Sequence, residues 1–289
     1  MQVAYLEFNR PFLSDRPIDS IFDDTSLDYP TIRSWFGDLS VTGFSRLEIP
    51  VAQANTLASL LGLSIRRCYL SDQSLLALLD EDSNEQELIA ACLPDRGSTM
   101  AGDFGEILAY LFQLADKGEM DLCGPKKWRL KIDRRKASPM SDVIHFALPT
   151  WPWASEDDKL LCSEVKVKST KTNSRPISSA LEDSRKDRAS RLAKTLVWLR
   201  ERTILGAETD VDREQLNRFI KAAENPLFSK SFNAVAVVCG GLIEDELVAD
   251  PPEEDPHHQI VVIGIPDLKE TYQQVYDSVA QAGLPNGVV

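Results

Sequence analysis

Apolar positions in the second half of the chain change period in a fixed order. From Gly102 to Ala115 they recur at helical spacing, with Phe104, Ile107, Leu108, Leu111 and Phe112 on one side and Glu106 in the first turn. Trp128, Leu130 and Ile132 then alternate with Arg129, Lys131 and Asp133, which predicts a half-buried strand. Val143, Ile144, Phe146 and Leu148 predict a second strand, introduced by Asp142. Leu160 to Lys168 predicts a third. In that strand Cys162, Glu164, Lys166 and Lys168 share one face, while Ser163, Val165 and Val167 point the other way. Charges in mid-strand are costly to bury without partners, so partners are expected opposite Glu164 and Lys166.

A long helix follows over 178–202, striped by Ala189, Leu192, Ala193, Leu196, Val197 and Leu199. Another helix spans 211–223. Ala234–Cys239 and Ile260–Ile265 read as short, fully buried strands. The acidic, proline-bearing stretch between them, 244–255, predicts an exposed loop, and Asp267 predicts the cap of a last helix running to Gly283. Before residue 97 the pattern is mixed α/β. A strand over 41–49 leads to a helix opened by Pro50 and ended by Gly62, then a strand over 65–70 and short helices near Leu75–Leu79 and Glu85–Leu93. That segment carries no recognisable chemistry. The pattern divides the chain into an N-terminal α/β extension, 1–97, and a domain over 98–289.

Composition changes this picture little, but charge changes it substantially. The 289 residues are 43% hydrophobic and 27% charged, ordinary for a soluble globular protein. No apolar run approaches membrane-spanning length, and the first residues lack the basic-then-apolar order of a secretory signal, so a cytoplasmic protein is expected. Five scattered cysteines and three histidines form no zinc pattern. The net charge of −13 argues against nucleic acid, yet residues 126–202 hold 19 of the 32 basic residues against 10 acids. A basic island between acidic flanks predicts a polyanion-facing segment. Lys168, Lys171, Arg188, Arg191 and Lys194 are its candidates for phosphate contact.

The candidate chemistry is an acid in the first helix (Glu106), an acid at the start of a strand (Asp142), and Glu-x-Lys in the next strand (Glu164, Lys166). Taken singly, each has an ordinary reading. Asp103 and Glu106 have capping-box spacing, Asp142 could merely start a strand or accept a turn hydrogen bond, and Glu164 with Lys166 could be an exposed edge pair. His145 is expected in the core or at the surface, and Trp151 and Trp153 as loop anchors.

Together, in the order helix, three strands, helix, strand, these residues resemble the PD-(D/E)xK nuclease superfamily over about 140 residues, Ala101 to Cys239. The runs GDFGEILAYLF, RRKASPMSDVIHF and LCSEVKVKST are similar to the nuclease subunit of the Hachiman anti-phage system, the HamA-like proteins. The position of Ser141 before Asp142 departs from the superfamily letters. The resemblance implies a restriction-endonuclease-like α/β (α+β mixed) core. It implies Mg²⁺ or Mn²⁺ held by Asp142, Glu164 and the Val165 main-chain carbonyl, with Glu106 holding a metal-bound water, a second metal or Lys166 itself, and Lys166 orienting or helping to deprotonate the attacking water. It also implies DNA as substrate, a superfamily 2 helicase (HamB-like) as partner, and a bacterial or archaeal cytoplasmic setting. A catalytically silent interaction subunit with the same fold, and a restriction or repair nuclease outside Hachiman, remain as alternatives.

Overall fold

The computed structural model describes residue 25 and residues 27–80, 82–116 and 122–285. The sequence features before residue 25 lie outside the described residues. Seven strands form one mixed sheet in the order β1-β2-β7-β6-β5-β4-β3. They are β1 (Gly37–Asp38), β2 (Ser45–Glu48), β3 (Leu122–Cys123), β4 (Val143–Ala147), β5 (Lys159–Lys168), β6 (Ser229–Cys239) and β7 (His258–Ile265). The four central strands β2, β7, β6 and β5 are parallel, and β1, β4 and β3 are antiparallel to their neighbours. The central strands β6 and β7 are apolar on both faces, with Val235, Val237, Val261 and Ile263 on one and Ala234, Ala236, Ile260 and Val262 on the other, as a sheet covered by two helix layers requires.

One layer holds the helices α1 (Tyr29–Ser34), α2 (Val51–Ala54), α3 (Leu57–Tyr69), α4 (Asp72–Leu78), α5 (Glu85–Cys92) and α6 (Ser98–Asp116) with the last helix, α11 (Leu268–Val279). Its core joins Phe104, Leu108 and Leu111 to Val143, Leu161, Val165, Val235 and Val237. The opposite layer is α7 (Pro176–Lys186), a π-helical turn (Asp187–Arg191), α8 (Leu192–Ile204), α9 (Arg213–Ile220) and α10 (Ile243–Ala249). There Leu192, Leu196 and Leu199 cover Ile144, Phe146 and Cys162. Ile177, Ala180 and Leu181 cover Ala234, Ala236 and Val238, whose small side chains let α7 lie close to the sheet. From α6 to β6 the order is helix, three strands, helices, strand; β4, β5 and β6 lie where the period changes predict, whereas the first of the three strands does not. Strands β1 and β2 come from before residue 97 and extend the same sheet.

Five local expectations are corrected. Gly62 does not end a helix and 65–70 is not a strand, because α3 runs through both. A β-carbon on Gly62 would stand 2.6 Å from Ser278 Oγ of α11, so this glycine serves close helix packing. Trp128–Ile132 is not a strand: Lys127–Leu130 is a 3₁₀ turn, and β3 is the strand before β4. Its alternation reflects separate captures, with Trp128 on Glu106, Arg129 on the Arg67 carbonyl and Lys131 on Asp103. The acidic stretch after β6 contains α10, which buries Glu246. Asp267 sits before α11 in the left-handed region (φ 44°) and its side chain makes no capping bond. Finally, α6 begins at Ser98, so Glu106 lies beyond the first turn and Asp103 caps nothing.

Candidate active site

β5 outruns β4. The pairing of β4 with β5 stops at Val143 opposite Ser163, whereas β6 accompanies β5 through Lys168. From Glu164 onward, β5 therefore has an open edge. Asp142, the residue just before β4, turns its carboxylate onto that edge and accepts the Val165 N–H at 2.9 Å. In an extended strand the N–H and C=O of one residue point to the same side, so the Val165 carbonyl faces the open edge too. A strand-initial Asp followed by a short β4 is what creates this arrangement.

Glu106 reaches the edge from the α6 layer. Gly105 beside it lets α6 approach β5 closely, since a β-carbon there would stand 2.3 Å from Val167. Glu106 is buried, accepts Trp128 Nε1–H at 3.1 Å and lies 4.0 Å from the Lys127 ammonium. Lys127 also donates to the Ser141 carbonyl. Burial first, and then the charge of Asp142, push the Glu106 pKa well above the usual carboxylate range. One turn earlier, Asp103 is fully buried on Tyr69 (2.6 Å) and Lys131 (2.6 Å). Burial raises its pKa and Lys131 opposes the rise.

Glu164 reaches the edge from the other face. It is 2% exposed, accepting Lys166 Nζ at 2.8 Å on one oxygen and Arg191 Nη2 at 2.6 Å on the other. Burial and the charge of Asp142 also raise its pKa. Lys166 bridges Glu164 and Asp183 of α7, the latter at 2.6 Å. Burial alone would lower the Lys166 pKa, but Glu164 and Asp183 outweigh it and raise it, so the ammonium stays protonated. Arg191, in the π turn, also holds Asp187 at 2.6 Å. Asp187 in turn accepts the Ser141 hydroxyl at 2.7 Å. The residue that departs from the superfamily letters thus ties the approach to Asp142 to the π turn.

Of the residues singled out in the sequence, Glu106, Asp142, Glu164 and Lys166 meet at this edge. Arg191 meets them as a direct partner of Glu164. Lys168, on the same face, does not: it is buried on Glu246 of α10 and the Ser174 carbonyl, 2.7 Å away, and so is withdrawn from any phosphate. Lys171, Arg188 and Lys194 are exposed. His145 is fully buried with its ring 4.4 Å from that of Tyr110. Trp153, expected to anchor its loop, is 78% exposed. Sequence reasoning missed Lys127, Asp183 and Asp187. The last two stand four apart on the predicted helix over 178–202, and that spacing is the available signal.

The donors at the edge are hard oxygens, suited to Mg²⁺ or Mn²⁺ rather than a soft metal. Burial, and then the charge of Asp142, raise the pKa of Glu106 and Glu164, and a divalent cation among these carboxylates would oppose both effects. Among the described residues, no group of three or more His, Cys, Asp or Glu side chains is drawn tightly enough to hold a metal as it stands. Both oxygens of Glu164 are engaged, so a cation must share or displace Lys166 and Arg191.

The fold is a mixed α/β one built on a seven-stranded mixed sheet, consistent with an α+β nuclease-like architecture. The HamA family model matches residues 34–279, most of the chain, and the protein belongs to the HamA family. It is therefore a protein associated with Hachiman defence. No curated protein matches it. No helix among the described residues is long and apolar enough to cross a membrane.

Proposed function

We propose that this chain is a metal-dependent deoxyribonuclease that cuts or nicks DNA within a Hachiman complex with a superfamily 2 helicase, in the bacterial or archaeal cytoplasm. The observation that carries the reading is the meeting of Glu106, Asp142, Glu164 and Lys166 where β5 loses its neighbour. Asp142, Glu164 and the Val165 carbonyl would hold Mg²⁺ or Mn²⁺, with Glu106 beside them. When bound, the cation supplies Lewis-acid polarisation of a phosphoryl oxygen and a more acidic water. Lys166 is kept protonated by Glu164 and Asp183, so it donates hydrogen bonds, orienting the nucleophilic water and stabilising charge on the phosphate. Proton removal by Lys166 would require those pairs to loosen first. Arg191, now on Glu164, would exchange that carboxylate for a phosphate oxygen as substrate arrives.

A second reading, an interaction subunit without activity, draws on the engagement of both Glu164 oxygens. Supercoiled plasmid with Mg²⁺ or Mn²⁺, with and without the helicase, separates the two. Wild type is expected to nick or linearise the plasmid, and Glu164→Ala/Lys166→Ala to lose at least about a thousandfold in rate, on the order of 4 kcal/mol of transition-state stabilisation. If both proteins leave DNA equally intact under all conditions, the silent-subunit reading stands.

A further inference from the structure

β6 and β7 begin at a surface cleft of about 910 Å³ whose lining includes Arg188, Lys230, Phe232, His257 and His258. On a chain of net charge −13 this concentration of basic groups is out of character. Two of its cations are uncommitted. Arg188 is exposed and its side chain makes no ion pair or hydrogen bond among the described residues. Lys230 stands over the half-buried Phe228 ring at 5.2 Å and faces no acid among them. The nearby acid is already spent: Asp255 holds His258 Nδ1 at 2.8 Å and Arg185 at 2.9 Å. His258, also on the cleft wall, has its buried Nε2 without a partner among the described residues. By contrast Arg129, Lys131, Lys166, Lys168 and Arg191 are all paired with carboxylates. Like charges left facing one cleft repel, and a bound anion removes that repulsion.

Register ties the cleft to the candidate active site. Phe232 pairs with Cys162 and Ala234 with Glu164, and Cys162 and Glu164 share a face. The cleft wall at Phe232 is therefore one strand across and two residues back from Glu164, about 8 Å between α-carbons. Arg188 lies in the same π turn as Arg191, the partner of Glu164. A volume of about 910 Å³ takes in a few nucleotides of one strand but not the body of a duplex. It has room for one strand.

We infer that this cleft binds an unpaired nucleic-acid strand, with Arg188 and Lys230 on phosphates to one side of the one presented to Glu164 and Lys166. The nature of the strand rests on the nuclease reading; the selection of a single polyanionic chain rests on the cleft. The test is fluorescence anisotropy with the full chain, a labelled single-stranded DNA of about 20 nucleotides and its duplex form, in EDTA to prevent cleavage, across a salt series. Wild type should bind the single strand more tightly than the duplex. Arg188→Glu/Lys230→Glu should lose at least about tenfold in affinity, and its salt slope should fall by about 1.4, for two lost phosphate contacts. The milder Arg188→Gln/Lys230→Gln, checked by thermal melting, should show the same trend if folding is intact. Equal affinity of wild type and both variants overturns the inference, as does a wild type that binds no DNA or prefers the duplex. Displacement of DNA by polyglutamate at equal charge also overturns it and assigns the cleft to an acidic protein. Normal plasmid cleavage with unaltered strand binding in the variants sinks the cleft alone. Cleft-dependent binding without any cleavage sinks the nuclease reading alone.

Discussion

Residues 159–163 of β5 lie between β4 and β6, whereas residues 164–168 have a strand on one side only. The closed half carries Leu160, Leu161 and Cys162, all nearly inaccessible and all in hydrophobic clusters. The open half carries Glu164, Lys166 and Lys168 on the same face as Cys162, and each finds an ionic partner. The difference lies in access rather than in the strand itself. Where β4 stops, side chains from both helix layers can reach around the edge, so a charge can be buried and still be approached. A second contrast sits inside the open half. Lys166 is part-exposed and shared between two carboxylates at the edge, whereas Lys168 is sealed under α10 by Glu246.

The largest effect that would break this contrast is on Lys168. Lys168→Met leaves Glu246 buried without its cation and should cost about 3–5 kcal/mol by urea denaturation. Activity per folded molecule should be unchanged, and a loss of cleavage without loss of stability would move Lys168 into the site. Asp142→Ala comes next. It removes a carboxylate and the cap on the Val165 N–H, and should slow plasmid cleavage about a hundredfold, near 3 kcal/mol. Undiminished cleavage would remove Asp142 from the chemistry.

The smallest concerns the closed side, where His145 of β4 pairs with Leu161. Burial, and then the charge of Lys126, push its pKa down to about 3, and neither ring nitrogen has a partner among the described residues. The depressed folded value means the unfolded chain binds more protons below its ordinary pKa of about 6.5. This contribution to stability is therefore present above that pH and lost as pH falls towards 3. Wild type should lose stability from pH 6.5 to 5 with a slope approaching about 1.4 kcal/mol per pH unit relative to His145→Leu. Parallel pH profiles of the two proteins would show that the ring is not held neutral.

Much of the site could be read from the sequence because its residues sit at element boundaries that periodicity marks. Asp142 precedes an apolar strand, and Glu164 and Lys166 interrupt one. The errors fall where local pattern and packing disagree. Gly62 resembles a helix stop and is a helix contact; Trp128 to Ile132 alternates like a strand and is a turn whose side chains are captured one by one.

The sequence alone determined α6 with its core face, the strands β4, β5 and β6, and four of the residues at the edge, since each follows from period and local charge. Only the tertiary structure decided that β4 ends opposite Ser163, which opens the edge. It also decided that Arg191 rather than a second acid answers Glu164, and that Lys168 belongs to α10 while Arg188 and Lys230 face a common cleft. The physical reason is common to all three. Which charges are neutralised depends on side chains brought together from distant segments, and a one-dimensional pattern carries the spacing within an element but not the distance between elements.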